Sequence, residues 1–314
     1  MNGFPDKPIK LTPALKDYIW GGMRLKDLYG RDNGGNRIAE SWELSVHENG
    51  MSETEFGRLG DLLDAHPEAV FPEGGKLPVL IKYIDALDKL SVQVHPSDEF
   101  AREHEGDNGK TEMWYIMGAK EGAGIYCGFK RSTCREEFMK AVQDCTVAEL
   151  LNFIPVKAGD CFLIPAGTVH AIGAGCLICE VQQNSNVTYR VYDYDRRDSK
   201  GNARELHVDK AAQVINFSNF SDSTNSGEYA SIAGGGRIRK LTECEYFKCR
   251  ELELNGKFEE TAGNSFRAVN VLEGSGKISG EKFASGDSFF VPCGTTYALE
   301  GKCKAIITEG AENK

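Results

Sequence analysis

The chain has no apolar run approaching the roughly 20 residues needed to span a bilayer, and its start, MNGFPDKPIKLTP, has no apolar core of the kind found in a secretory leader. The expectation is a cytosolic protein rather than a membrane-bound or exported one. Positive charge is also short. Forty-seven acidic residues against 37 Lys and Arg give a formal net charge of −10, which disfavours nucleic acid and anionic membrane surfaces as partners. An anionic small molecule would need a local island of positive charge. The ten cysteines lack a regular framework. Cys161, Cys176, Cys179 and Cys293 sit in apolar, strand-like runs, where a reduced thiol acts as a small hydrophobe. Cys176 and Cys179 form C-x-x-C, but residues three apart on a strand face opposite ways, so both sulfurs would not meet one metal.

What is present reads as strands. Thirty-five glycines among 314 residues suit numerous tight turns, and the length allows two domains or one large all-β domain. Leu90–His95 alternates: Leu90, Val92 and Val94 point one way, and Ser91, Gln93 and His95 the other. The apolar run PVLIKYIDAL precedes it, so its polar row lies on an interior strand and suggests a lined cavity. A loop rich in charge follows, then Lys110–Tyr115, in which Lys110, Glu112 and Trp114 share a face. Trp42–Val46 and Pro78–Tyr83 read as strands, and Gly118–Lys130 as a glycine-punctuated hairpin. Helices are expected near 57–66, over 133–151 and at Leu206–Ile215. The second of these has two capping boxes, Thr133-x-x-Glu136 and Thr146-x-x-Glu149.

An internal repeat ties the halves together. KAGDCFLIPAGTVHAI, from Lys157, aligns with FASGDSFFVPCGTTYAL, from Phe283. Gly159 matches Gly286, Pro165 matches Pro292 and Gly167 matches Gly294, but Tyr297 stands where the first copy has His170. Between the copies, Ser218–Gly236 is rich in Ser, Asn and Gly and reads as a linker.

The pattern G-x5-P-x-G-x2-H, ending at His170, resembles the second sequence motif of the cupin superfamily. The first cupin motif is altered, with Gln93-x-His95 where His-x-His is usual. Together with GKTEMW, QQNSNVTYRVYDYDR, Tyr18–Gly22 and Ala39–Glu43, these features resemble the type I mannose-6-phosphate isomerases over nearly the whole chain. The resemblance implies an all-β fold with inserted helices: two cupin (jelly-roll) barrels, the second degenerate. The division expected is 1–235, a metal-binding catalytic domain carrying the helical insertion, and 236–314, a C-terminal domain without the metal ligand.

Gln93, His95, Glu112 and His170 offer two nitrogens and two oxygens, a set that a divalent metal accepts with a position left for water or substrate. The resemblance implies zinc, one ion per chain; the residue types alone would also suit manganese, iron or cobalt. It further implies a sugar phosphate substrate, an aldose–ketose isomerisation, a catalytic Arg190, and Glu180 and Lys110 in the active site. Ser91 and Lys82 match positions near the phosphate end. The competing reading of Arg190 is a surface salt bridge with Asp193 or Asp195. Glu180 and Lys110 both remain candidates for the base. Asn186 stands where the family usually has aspartate, and it cannot ionise. His47, His66, His104 and His207 read as surface or structural residues, with His104 nearest the cavity mouth. The alternative function is a non-catalytic sugar-phosphate-binding cupin. Oligomeric state is left open.

Overall fold

The computed structural model describes residues 4–35, 37–197, 200–220 and 227–311. Two antiparallel sheets face each other in the first barrel. One has six strands in the order Cys161–Ile164, Glu112–Ala119, Cys176–Gln183, Val79–Asp85, Glu40–Leu44 and Ala14–Lys16. The other has five, in the order Leu151–Pro155, Gly124–Phe129, His170–Ile172, Val92–Val94 and Tyr189–Tyr192. A third, eight-stranded sheet forms the smaller second barrel around Leu252, Val269, Phe289, Tyr297 and Leu299. No helix among the described residues is long and apolar enough to cross a membrane.

Strand alternation divides the six-stranded sheet into two unlike faces. Val79–Asp85 and Cys176–Gln183 are buried along their whole length, because each side has a cover. Ile81, Tyr83, Met113, Tyr115, Cys179 and Val181 share one core with Leu241, Phe247, Cys249 and Phe290 of the second barrel. The residues between them turn inward. There Ile84, Trp114, Ile116, Cys176 and Ile178 pack with Ile125, Cys127 and Ile172 of the five-stranded sheet. Lys82, Glu112, Glu180 and Gln182 lie on that same inward face. Cys176 and Cys179 accordingly sit in different cores and are free thiols.

The two repeat copies fold alike. Gly159 and Gly286 both have φ +91°, and Gly167 and Gly294 have φ +84° and +77°, a region open to glycine at little cost. Thr168 and Thr295 donate their amides to Pro165 and Pro292 at 3.1 Å in the matching turns. In the first copy the Gly167 amide also reaches the His95 carbonyl at 2.8 Å, tying the turn that delivers His170 to the strand that carries His95. In the second, Tyr297 is buried and its hydroxyl has no hydrogen bond.

Several local expectations differ from the structure. Residues 118–130 are not a hairpin: Glu112–Ala119 pairs with Cys161–Ile164 and Cys176–Gln183, whereas Gly124–Phe129 pairs with Leu151–Pro155 and His170–Ile172. The turn between them crosses from one sheet to the other. Neither capping box forms. The helix Arg135–Gln143 begins one residue too late for Thr133, whose hydroxyl donates to Glu137 instead, and Thr146 precedes only a single 3-10 turn, Val147–Leu150. The loop after Pro96 contains the helix Asp98–His104, capped by the Ser97 hydroxyl, which accepts the Phe100 amide. The other α-helices among the described residues are Arg24–Tyr29, Leu59–Ala65 and Val208–Val214. Ile9–Leu11 pairs with Ser288–Val291, so a strand from the expected N-terminal domain belongs to the second barrel's sheet. Part of the linker 218–236 lies outside the described residues.

The barrels are joined by polar contacts as well as by the shared core. Glu43 is wholly buried, and burial holds its carboxyl above the usual range although Arg31, Ser41 and Ser288 all favour its charge. Ser41 and Ser288 donate to it at 2.6 and 2.7 Å, and Arg31 reaches both its oxygens and the Gly286 carbonyl across the interface. Arg31→Ala would leave a buried, unpaired carboxylate, a change expected to cost about 3–5 kcal/mol. The measurement is the urea unfolding midpoint at neutral pH; a midpoint unchanged from wild type would show that Arg31 does not hold the interface.

Candidate active site

At the floor of the first barrel, His95 follows the strand Val92–Val94, and Glu112 and His170 are the first residues of their strands. One ligand atom from each lies within 4.8 Å of the others. His95 Nε2 is 3.2 Å from Glu112 Oε1, and His170 Nε2 is 3.8 Å from Glu112 Oε2. The opposite ring nitrogens are occupied: His95 Nδ1 lies 2.7 Å from the Val187 carbonyl, and His170 Nδ1 2.9 Å from that of Thr168. A carbonyl only accepts, so each Nδ1 carries the hydrogen and each Nε2 keeps its lone pair toward the carboxylate. Gln93 stands opposite His170 in the sheet, with its amide nitrogen 3.4 Å from His170 Nε2. Turning that amide over would present its oxygen instead.

The donor set is deprotonated. Burial, with Lys110 adding to it, pushes His95 down to about 3, and burial lowers His170 as well. Burial alone would raise Glu112, but the charge of Lys110 outweighs it and holds the carboxyl well below the ordinary range. Glu112 Oε2 is buried without a hydrogen bond. Two neutral imidazoles and a carboxylate with an unused oxygen fit a divalent cation. Lys110 Nζ donates to Glu112 Oε1 and lies 3.3 Å from His95 Nε2.

Above this floor is a cavity of about 330 Å3 whose lining includes Lys82, Ser91, Gln93, Lys110, Glu180 and Arg190. Glu180 accepts from Trp114 Nε1 at 2.9 Å and lies 3.4 Å from Lys82. Its carboxyl is raised by burial and by the charge of Glu112, against the pull of Lys82 and Lys110. Lys82 sits between Glu180 and Glu40, with its ammonium 5.0 Å from the centre of the Trp42 ring. Burial alone would lower it, but the two carboxylates hold it above the ordinary lysine range. Arg190 donates to the Ser91 hydroxyl at 3.2 Å and to the Glu205 carbonyl at 2.9 Å. It is not the partner of Asp193, which binds Arg196 and Arg204.

The sequence-predicted residues therefore converge, and others join them. Glu40, Arg204 and His207 line the same cavity. Glu40 stands in the AESWE stretch, but its inward direction depends on a sheet register that no local pattern shows. Arg204 and His207 lie on an irregular segment with no periodicity. His207 was expected at the surface or in a structural role; it lines the cavity. His104 stacks on Phe100 at 4.0 Å and is not among the lining residues. Asn186 does line it, and its backbone amide donates to Asp107.

Residues 9–131 match the family model for the type I phosphomannose isomerase catalytic domain, and residues 237–309 the model for the mannose-6-phosphate isomerase cupin domain. The chain is 37% identical over 313 residues to the probable mannose-6-phosphate isomerase GmuF of Bacillus subtilis (strain 168), covering 96% of this chain and 98% of that one. It is 38% identical to mannose-6-phosphate isomerase ManA of the same organism, at the same coverage. The solved structure of the mannose 6-phosphate isomerase from Bacillus subtilis superposes with a TM-score of 0.90 at 36% identity, covering 96% of this chain and 99% of that one.

Glu112→Gln keeps the shape of the floor and removes the charge that both histidines face. It is expected to lower divalent-metal affinity by at least about 10²-fold. Titration with a chelator while metal release is followed reads this directly; affinity within a few-fold of wild type would place the metal elsewhere.

Proposed function

This chain belongs to the type I phosphomannose isomerase family, and from its site we infer a metal-dependent enzyme that interconverts mannose 6-phosphate and fructose 6-phosphate. The observation that carries the reading is the cluster of His95, Glu112 and His170 in contact with Gln93 and Lys110, which line a cavity that also has an arginine and a raised carboxyl on its walls. We assign one zinc ion per chain to Gln93, His95, Glu112 and His170, on the ground that two imidazoles and a carboxylate suit zinc with a position left open. When bound, the ion supplies Lewis-acid polarisation of the sugar's O1 and O2 oxygens.

The reaction moves a proton from C2 to C1. Glu180 is the residue we assign to that transfer: its carboxylate takes the C2 proton, the electron pair forms the C1–C2 double bond, and the same group returns the proton to C1. The hydroxyl proton passes from O2 to O1 to complete the ketose. A carboxyl raised by burial is better matched to such a transfer than an ordinary one. Lys110, directed at the floor, would donate to the oxygen that gains charge. Lys82 stands between two carboxylates and would orient Glu180. Ser91 accepts from Arg190 and donates to Gln93 at 3.4 Å, so it stands between the arginine and the metal ligands, and we assign it to the phosphate end. Asn186 can hydrogen-bond a sugar hydroxyl but cannot exchange a proton by ionising. The division of labour proposed is catalysis in 1–235, with residues 236–314 and the strand Ile9–Leu11 covering the outer face of its sheet.

Arg190 offers a planar fork that lysine lacks. Arg190→Lys is expected to keep the fold and bound metal while lowering kcat/KM on the order of 10²–10³-fold. A coupled assay with mannose 6-phosphate after metal removal and zinc return decides it. A kcat/KM near the wild-type value would make Arg190 structural. A wild-type enzyme that, with zinc restored, leaves the C2 proton of mannose 6-phosphate unexchanged would turn the reading into the binding-only alternative.

Glu180→Gln separates the proton carrier from the metal site. The expected outcome is loss of C2-proton exchange with metal content unchanged; retained exchange would move the base to Lys110. Because the Glu180 carboxyl is raised, its base form accumulates only as pH climbs past that elevated value. The acid limb of kcat/KM should therefore lie above the range of an exposed glutamate.

A further inference from the structure

The cations lining the cavity differ in what already faces them. Lys82 has Glu40 at 3.9 Å and Glu180 at 3.4 Å, and Lys110 has Glu112. Arg190 has only neutral partners among its hydrogen bonds, a hydroxyl and a backbone carbonyl. Burial and the neighbouring charge of Arg204 both work against its ionised form, so an anion placed there would relieve an unfavourable arrangement. Arg204 is held in position by Asp193, which accepts from its Nε at 2.8 Å and its NH2 at 2.5 Å. Asp193 also takes Arg196 at 2.5 Å. A single, almost fully buried carboxylate is thus shared by two arginines, with Arg190 as a third cation nearby. In a chain whose net charge is −10, this is a local excess of positive charge opening on a cavity. His207 adds a ring nitrogen, its Nε2, which lies 3.8 Å from the Glu205 carboxylate. Its Nδ1 accepts the Arg190 amide at 3.4 Å, which leaves the hydrogen on Nε2, and its ring lines the cavity.

We propose that Arg204, fixed by Asp193, is a phosphate-binding residue of this site, clamping the sugar's phosphate group together with Arg190, Ser91 and the His207 imidazole. The proposal rests on the isomerase reading and specifies how the substrate lies: phosphate at the arginine side, C1 and C2 toward His95, Glu112 and His170. Arg204 uses two of its nitrogens on Asp193 and keeps NH1 for the ligand. The guanidinium is therefore set before substrate arrives, and little side-chain freedom remains to be lost on binding.

The experiment is steady-state kinetics of the full-length, zinc-loaded protein, with inorganic phosphate as a competitive probe. Arg204→Ala should raise KM for mannose 6-phosphate about 10–100-fold, the range for a hydrogen bond to a charged group. The inhibition constant for inorganic phosphate should rise by a similar factor, with kcat and metal content little changed. Arg204→Lys, which keeps a cation without the fork, should fall between the two. It supplies the comparison if the alanine variant loses its fold by circular dichroism. Arg197→Ala, an exposed arginine of the same segment, should behave as wild type. Unchanged KM and phosphate inhibition in both Arg204 variants would overturn the proposal. So would an equal loss in Arg197→Ala, which would point to general surface charge. A wild-type protein that binds phosphate but does not isomerise the sugar would defeat the isomerase reading and leave the clamp standing.

Discussion

Glu112 has no exposed surface, yet its carboxyl is held ionised. A lone carboxylate in that position would take up a proton rather than carry a charge away from water. It stays charged because the Lys110 ammonium donates to it, and the two imidazoles beside it are each fixed from elsewhere: His95 by the Val187 carbonyl, His170 by its own turn at Thr168. Val187 in turn belongs to the segment that leads into Arg190. The groups around Glu112 thus come from both sheets of the first barrel, and the site exists only when the sheets are correctly registered. A one-residue slip of any of these strands would send its ligand into the opposite core.

The six-stranded sheet makes such polarity tolerable by keeping its two faces distinct. Toward the second barrel it is apolar, with Ile81, Tyr83, Met113 and Val181 in the shared core. Toward the cavity it alternates apolar and ionisable residues, and each ionisable group has a partner nearby: Lys82 with Glu40 and Glu180, Glu180 with Trp114, Lys110 with Glu112. The second barrel carries the same turns but has lost the histidine, and its interior is closed by Tyr297, Phe289 and Leu299. It buries the back of the sheet whose front carries Lys82, Glu112 and Glu180.

Much of this was legible in the sequence because it is periodic or local. The polar row Ser91, Gln93 and His95 follows from alternation alone, and the glycine-proline turns announce themselves twice. What could not be read was set by distant contacts. The stretch 118–130 looks like a hairpin because glycines flank two strand-like runs, but which strands pair is decided by the sheets on either side. Helix Asp98–His104 was hidden by its charge, although Ser97 with Asp98 and Glu99 behind it is an ordinary helix start. Arg204 and His207 reach the cavity from an irregular segment, where no repeat of any period marks an inward side chain. Glu40 was visible as part of a motif, but its pairing across Lys82 appears only once the strands are laid side by side.

The strand Ile9–Leu11 hydrogen-bonds to Ser288–Val291, nearly the whole chain away. A protein built on two independent repeats would fold one unit and then the other as it leaves the ribosome. Here that order is obstructed. The edge strand Ile9–Leu11 of the eight-stranded sheet is synthesised first but has no partner until Ser288–Val291 arrives, and the first barrel's apolar back stays uncovered until residues beyond Leu241 arrive. The early half of the chain must therefore wait as an incompletely buried intermediate, with hydrophobic surface open to other chains. Rapid elongation and chaperone capture would bear on the yield of this protein more than on that of one whose repeats close independently.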